Sequence, residues 1–201
     1  MIDGKHPVVL RMAGMSPGDL GGVEAHRRRK GGDLGHVDDA RSGLNRRLIG
    51  KVDWAQRAAE EVEAMRLENF ARELESLERR RRSVEVRKRL AEGPRDPWRA
   101  TRHGPMREVI LTANRDWFEE TDDPGIAFNR DEQERRERAF EARALAWLRA
   151  SFGDDVIHAR ADRDEEAYHI HAVILPRGET RDGRRMLQPS IHPMIKNYEE
   201  A

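Results

Sequence analysis

Residues 164–176 read Asp164-Glu165-Glu166-Ala167-Tyr168-His169-Ile170-His171-Ala172-Val173-Ile174-Leu175-Pro176, an acidic start running into an apolar segment with two histidines two apart. Side chains of a strand alternate between its faces, so as a strand this segment turns His169 and His171 to one side and Ile170, Ala172 and Ile174 to the other. The apolar side needs a cover, which helices supply, and the other side carries two imidazoles. Upstream, Asp155 to Ala161 also alternates, with Val156, His158, Arg160 and Asp162 on one side. A short acidic loop joins the two segments, which predicts a hairpin. The sheet is then antiparallel, and the fold class is α+β with helices on the face away from the histidines.

Working outward, Val8 to Ala13 is a first strand. Residues 14–35 form a glycine-rich loop with a helical turn around Val23–Arg29. Asp38 to Ile49 reads as a helix capped by Asp38 or Asp39, with Leu44 and Leu48 on one face. From Asp53 to Glu92 the chain has neither glycine nor proline. Leu67, Phe70, Leu74, Leu77 and Val84 recur there at spacings of three, four and seven, which predicts one long charged helix with a narrow apolar seam. That seam faces either the domain or a second copy of the chain, so a dimer through the long helix is an expected partnership. Gly93-Pro94 stops the helix, and Pro94 to Pro105 is a linker. Arg107 to Ala113 is a strand. Asn129 to Ala150 is a helix with Phe140, Ala144, Trp147 and Leu148 on one face and Gly153 as terminator. The expected division is 1–52, a helical insertion with linker over 53–100, and 101–201.

Charged residues make up 38% of the 201 and aromatic residues 5%, too lean for a packed core throughout, so part of the chain is a solvated helix. Formal net charge is zero, which removes any global pull on nucleic acid, but the charges are blocky: Arg27 to Lys30 is one basic run and Arg79 to Arg82 another. The second run is either a solvated helix face or a DNA contact. The absence of cysteine excludes disulfides and thiolate metal sites. No run approaches the roughly 20 apolar residues of a membrane span, so the expectation is a soluble cytoplasmic chain with no membrane segment.

Two clusters carry chemistry. Asp162 returns level with His169 across the hairpin, so Asp162, His169 and His171 make a three-ligand set for Mg²⁺, Mn²⁺ or Zn²⁺. Asp164 and Glu165 are placed to orient the histidines or to move protons. A solvated acidic turn beside two half-buried histidines is the plainer reading. In the N-terminal cluster Glu24-Ala25-His26-Arg27-Arg28-Arg29-Lys30, His26 and Arg29 share a helix face. Neighbouring cations favour the neutral, nucleophilic imidazole, and the same cations hold a phosphate. The plainer reading here is a basic surface run. Together the clusters suit phosphodiester chemistry, either cleavage of a DNA strand by a side-chain nucleophile with a metal or hydrolysis by water.

At this point the chain resembles the Mob/Pre plasmid mobilisation and recombination proteins, relaxases of the HUH endonuclease group. The family's first motif, His-Asn-x-Arg, reads His26-Arg27-Arg28-Arg29, and its Ser-x-x-Asn segment reads Ser42-Gly43-Leu44-Asn45. The later motif, His-x-Asp-Glu-x-x-Pro-His-x-His, reads Asp162-Arg163-Asp164-Glu165-Glu166-Ala167-Tyr168-His169-Ile170-His171. Val109 to Ala113, Trp117-Phe118 and the helix ending at Phe152-Gly153 follow the family's layout. Residues 53–100 stand outside it. Three departures matter: Asp162 replaces the first metal histidine, Arg27 replaces asparagine and Tyr168 replaces proline. Family members continue into a long C-terminal region, whereas this chain stops at Ala201, so a minimal or truncated relaxase domain is expected.

The resemblance implies an HUH relaxase-like sheet and a divalent ion, Mn²⁺ or Mg²⁺. It also implies binding to the hairpin and single strand of a plasmid transfer origin, and nicking through a 5′-phosphoryl–enzyme adduct with a free 3′-hydroxyl. The expected roles are His26 as nucleophile, Arg29 and Glu165 in catalysis, and Arg27, Arg28, Lys30 and Asn45 on the DNA. Tyr168 is the rival nucleophile, since most HUH enzymes use tyrosine whereas this family can use the first-motif histidine; the chain's two tyrosines, Tyr168 and Tyr198, both lie outside the N-terminal region. Two other readings stay open: a catalytically impaired homologue that binds DNA or represses its own operon, and a structural helical protein that leaves the His-x-His strand unexplained.

Overall fold

Met106–Ala113 buries every second residue fully and its neighbours partly, the signature of a strand covered on both faces. In the computed structural model, which describes residues 7–30, 35, 37–119, 129–165 and 167–200, it is one of five antiparallel strands. The elements in chain order are β1 (Val8–Met15), α1 (Leu20–Arg27), a 3-10 segment (Asp39–Leu44), β2 (Arg46–Ile49), α2 (Trp54–Arg79), α3 (Ser83–Glu92), β3 (Met106–Ala113), α4 (Arg115–Glu119), α5 (Arg130–Phe152), β4 (Val156–Asp162), β5 (His169–Ile174), β6 (Arg177–Glu179), β7 (Arg185–Leu187) and α6 (Pro193–Glu200). The strand order is β1-β3-β5-β4-β2, so β5 with its two histidines lies at the centre. Residues 31–34 of the expected glycine-rich loop lie outside the described residues.

The α+β class and the antiparallel hairpin of β4 and β5 are as the sequence predicts, and the register sets Asp162 opposite His169. The face away from the histidines is covered by α5. Asn129 caps α5 by accepting from the Glu132 backbone N–H at 2.9 Å, and Gly153 ends it at φ 56°. Its Phe140, Ala144, Leu148 and Phe152 pack on Ile170, Ala172 and Ile174. The expectation of helices on one face is exceeded: α1 and α2 cover part of the other face as well. Trp54, Ala58, Val62 and Met65 of α2 bury Val173, Leu175 and Met106 there.

Four local readings are corrected. Asp38–Ile49 is not a helix. Gly43 and the extended Asn45 (ψ 136°) end a 3-10 segment, and Arg46–Ile49 then pairs with β4 as an edge strand. The segment 53–92 is not one helix: the chain reverses at Arg80–Arg82, with Arg81 at φ 57°, and α3 folds back along α2. The reversal is held by Arg89, which is buried against Glu73 (2.8 Å) and lies 4.9 Å over the Phe70 ring. The buried stripe of α2 accordingly runs from Trp54 to Met65, while Leu67 is half exposed. This makes the first half of α2 part of the core rather than an appendage. Finally, Val156 packs on the α5 side and not beside His158, because the register of β4 shifts between them. At that irregularity Gly50 (φ 89°) lets two backbones meet: a Cβ there would lie 2.4 Å from the Ile157 carbonyl oxygen. Among the described residues, no helix is long and apolar enough to cross a membrane.

Candidate active site

The histidine face of β5 carries His169, His171 and Val173, and pairing brings Asp162, Arg160 and His158 of β4 alongside. His169 donates its Nδ1–H to the Ala167 carbonyl at 2.9 Å, which fixes the ring with Nε2 directed toward two carboxylates. Nε2 lies 3.5 Å from Asp162 Oδ2 and 3.7 Å from Glu165 Oε2. One donor atom each from Asp162, Glu165 and His169 thus falls within 4.8 Å of the others. His171 points elsewhere: its Nε2 pairs with Glu108 of β3 at 2.8 Å, and the two imidazole centroids are 6.4 Å apart. The expected set of Asp162, His169 and His171 is therefore drawn together only in part, and Glu165 stands where His171 was expected.

Asp162 is fully buried and clamped by Arg160, whose NH2 donates to Oδ2 at 2.7 Å. Arg160 Nε is 2.6 Å from Oδ1 but is not aligned to donate, so that buried oxygen has no hydrogen-bond partner. Burial pushes the Asp162 carboxyl up, yet His169 and Arg160 outweigh it and hold its pKa below the usual range. Burial likewise opposes the His169 imidazolium, but Asp162, the Ala167 carbonyl and Glu165 outweigh it and raise its pKa. Three carboxylates (Asp162, Asp164, Glu165) and two guanidiniums (Arg29, Arg160) thus crowd around the His169 imidazole.

The second half of the cluster comes from the far end of the sequence. After α1 the chain turns at Arg29 (φ 54°), which sends that side chain back toward the sheet. There Arg29 Nε donates to Asp164 Oδ2 at 2.9 Å, and its NH2 donates to Asp164 Oδ1 and to Glu165 Oε1 (3.0 Å). Ser42 Oγ also donates to Asp164 Oδ2, at 2.7 Å. Burial raises the Asp164 pKa, but Arg29 and Ser42 win and hold it at about 2. His26, one third exposed, lies with Nε2 3.9 Å from Glu165 Oε1 and 3.3 Å from Arg29 NH1. Arg29 has only donors, so that contact makes Nε2 the acceptor and puts the ring proton on Nδ1.

The other expected residues are placed as follows. Glu24 binds both Arg27 and Arg28 and accepts from Trp54 Nε1 at 2.8 Å, and its pKa falls to about 2 because these donors outweigh its burial. The Arg27 carbonyl accepts from Arg160 NH1 at 2.7 Å, so Arg27 ties α1 to β4, while Arg28 and Lys30 are exposed. Asn45 Oδ1 accepts from the Arg163 backbone N–H at 2.8 Å and fixes the loop after β4. Tyr168 lies on the opposite side of the sheet, buried among Phe118 and Phe140, with its hydroxyl donating to Glu141 at 2.5 Å. Burial raises its pKa further, with the Glu141 bond adding to the effect. That placement removes Tyr168 from the histidine-side cluster. Glu24, Glu108 and Arg160 are members that the sequence reading did not single out. Two of them leave a signal: Arg160 stands two residues before Asp162 on one strand face, and Glu24 stands three and four residues before Arg27 and Arg28 on one helix face.

Beneath α1, His158 stacks on Trp54 with ring centroids 4.4 Å apart, and its buried Nδ1 has no partner. Burial, then the charge of Arg27, lowers its pKa to about 3. The unfolded chain protonates this imidazole below about pH 6.5, and the folded chain does not until far lower. Stability therefore falls on acidification by about 1.4 kcal/mol per pH unit in that window. Glu24 and Asp164 add their own loss only below about pH 4.5. Urea midpoints between pH 6 and pH 4.5 should show a loss of about 2 kcal/mol. His158→Phe, which keeps the stack, should flatten the slope; an equally steep slope in that variant contradicts the assignment.

No family model and no curated protein sequence matches the chain. Solved structures do. The MobM relaxase domain (MOBV; Mob_Pre) bound to plasmid pMV158 oriT DNA of 22 nucleotides, Mn-bound at pH 5.5, superposes with a TM-score of 0.58 at 19% identity over 95% of this chain and 80% of that one. The same domain at pH 4.6 gives 0.58 at 20% identity, covering 96% and 80%. With a 3′-thiophosphate oligonucleotide at pH 6.8 it gives 0.54 at 21% identity, covering 84% and 70%. The chain shares the fold of that domain.

Proposed function

We propose that this chain is a plasmid mobilisation relaxase: a metal-dependent enzyme that nicks one DNA strand at a transfer origin. The observation that carries the reading is the convergence of His26 and Arg29 with Asp162, Glu165 and His169 on one sheet face, bridged by the Arg29–Glu165 contact of 3.0 Å. The Mn-bound, oriT-bound state of the structurally similar MobM domain supports both the ion and the DNA.

In this reading Asp162, Glu165 and His169 would hold the divalent ion, while His171 pairs with Glu108. The donor set fits: two hard oxygens with one imidazole suit Mn²⁺ or Mg²⁺. When bound, the ion polarises the scissile phosphate and offsets its developing charge. Arg29 grips a phosphate oxygen. The His26 Nε2 lone pair attacks phosphorus, the bond to the 3′ oxygen breaks, and that oxygen leaves and takes a proton from solvent. The Nδ1 proton of His26 passes to solvent. The products are a 5′-phosphoryl–His26 adduct and a free 3′-hydroxyl. The clamp of Arg160 on Asp162 favours a second reading, an impaired homologue that binds DNA without nicking it.

Calorimetry with Mn²⁺ should give about one site per chain. His169→Ala should abolish that binding, Glu165→Gln should weaken it about tenfold or more, and His171→Ala should matter less. Loss in His171→Ala with full affinity in Glu165→Gln would instead restore the histidine pair as the ligand set.

A further inference from the structure

The α2–α3 reversal is absorbed by nothing in the proposed chemistry. Beyond Arg72, the hydrogen bonds and ion pairs of α2 among the described residues run to α3, with Arg89 locked on Glu73 at the base. The tip that projects past this base, residues 78–85, is exposed throughout and holds four consecutive arginines, Arg79 to Arg82. Elsewhere on these helices Arg57 pairs with Asp53, Arg66 with Glu63 and Arg89 with Glu73, and Arg72 donates to the Gly183 carbonyl, while Arg87 is a lone cation without an ion pair among the described residues. At the tip only Arg82 has an ion pair, a loose one of 3.5 Å to Glu85, and among the described residues Arg79, Arg80 and Arg81 have none. For Arg82 the turn explains this. Arg81 takes a left-handed conformation that glycine or asparagine would adopt more easily, and it breaks the helical spacing that would have set Arg82 on Glu78. Among the described residues, the two non-glycine residues with positive φ are both arginines, one at the candidate site and one here.

We propose that the Arg79–Arg82 tip is a second DNA contact, which grips the phosphate backbone of the duplex part of the substrate without reading its sequence. This rests on the relaxase reading above. Guanidiniums match phosphate oxygens, and a local charge of this kind acts where a chain of zero net charge has no global attraction. The tip holds no aromatic residue on which the bases of a single strand would stack. Its reach also suits a duplex. Trp54, at the start of α2, stacks on His158 beside the site. The 26 residues of α2 then span about 39 Å, close to one turn of B-form DNA.

The test uses the full chain with Arg79, Arg80 and Arg82 each changed to Gln, leaving Arg81 to keep the turn. Binding is read by fluorescence anisotropy against a labelled mixed-sequence DNA duplex and against one of its strands alone, over a series of salt concentrations. The triple variant should bind duplex at least about tenfold more weakly at low salt, and its plot of log affinity against log salt should be shallower by about 2.7, or 0.9 per lost phosphate contact. Single-strand affinity and Mn²⁺ binding should hold, and the matching triple Lys variant should recover most of the duplex affinity. Unchanged duplex binding overturns the proposal, as does an equal loss on both probes. Loss of binding to phosphatidylserine vesicles with duplex binding intact makes the tip a membrane contact and also overturns it. A wild-type chain that binds neither DNA form overturns the relaxase reading along with this one, whereas a wild type that nicks and binds DNA beside an unchanged variant overturns the tip alone.

Discussion

His26→Ala should lower nicking of a supercoiled plasmid carrying the cognate origin by at least about 10³-fold while leaving DNA affinity near wild type. A nucleophile acts mainly in the transition state, so its loss appears in rate rather than in binding. The neighbouring groups sharpen the expectation. Glu165 and Arg29 hold one another at 3.0 Å without help from His26, so the cluster survives removal of the imidazole. Arg29→Ala behaves differently. It removes the phosphate clamp and leaves Asp164 without its main cation, so binding, nicking and stability all fall. The binding defect should shrink at high salt, as for any lost phosphate contact. Full nicking by His26→Ala would remove that residue from the reaction.

Asp162→Ala should destabilise the fold by about 3–5 kcal/mol and abolish Mn²⁺ binding, because it strands the buried Arg160 guanidinium. Urea midpoints measure the first effect and calorimetry the second. The double change Asp162→Leu with Arg160→Met should recover most of the stability, since an apolar pair of similar size needs no charge compensation, but not the metal. Asp162→His should tighten softer metals, through an imidazole donor in place of a carboxylate, only when Arg160 is changed with it. A stable Asp162→Ala protein would show that Arg160 finds its charge compensation elsewhere.

The central strand was legible because a period of two is hard to mistake. Ile170, Ala172 and Ile174 had to be covered, and the short loop after Asp162 returned it level with His169. The same parity, one residue earlier, puts Tyr168 on the far side from His169, which is where it lies. What local pattern does not encode is tertiary. The turn at Arg81 has no glycine or proline, and its cause is the distant pairing of Arg89 with Glu73 and Phe70. Arg46–Ile49 becomes a strand because β4 has an open edge for it. The nearness of Glu165 to His169 depends on tertiary contacts too, since Arg29 reaches Glu165 from the turn after α1.

The central claim, that His26 and the carboxylate–histidine group form a DNA-nicking site, is tested most directly by mapping the covalent adduct. The protein is incubated with Mn²⁺ and a single-stranded oligonucleotide spanning the inverted repeat and flanking strand next to its own coding sequence, then digested and analysed by mass spectrometry. The account predicts a 5′-phosphoryl group on His26, as an acid-labile phosphoramidate that is absent from His169→Ala. An acid-stable adduct on Tyr168 or Tyr198, or a nicked strand from the His26→Ala protein, would contradict it.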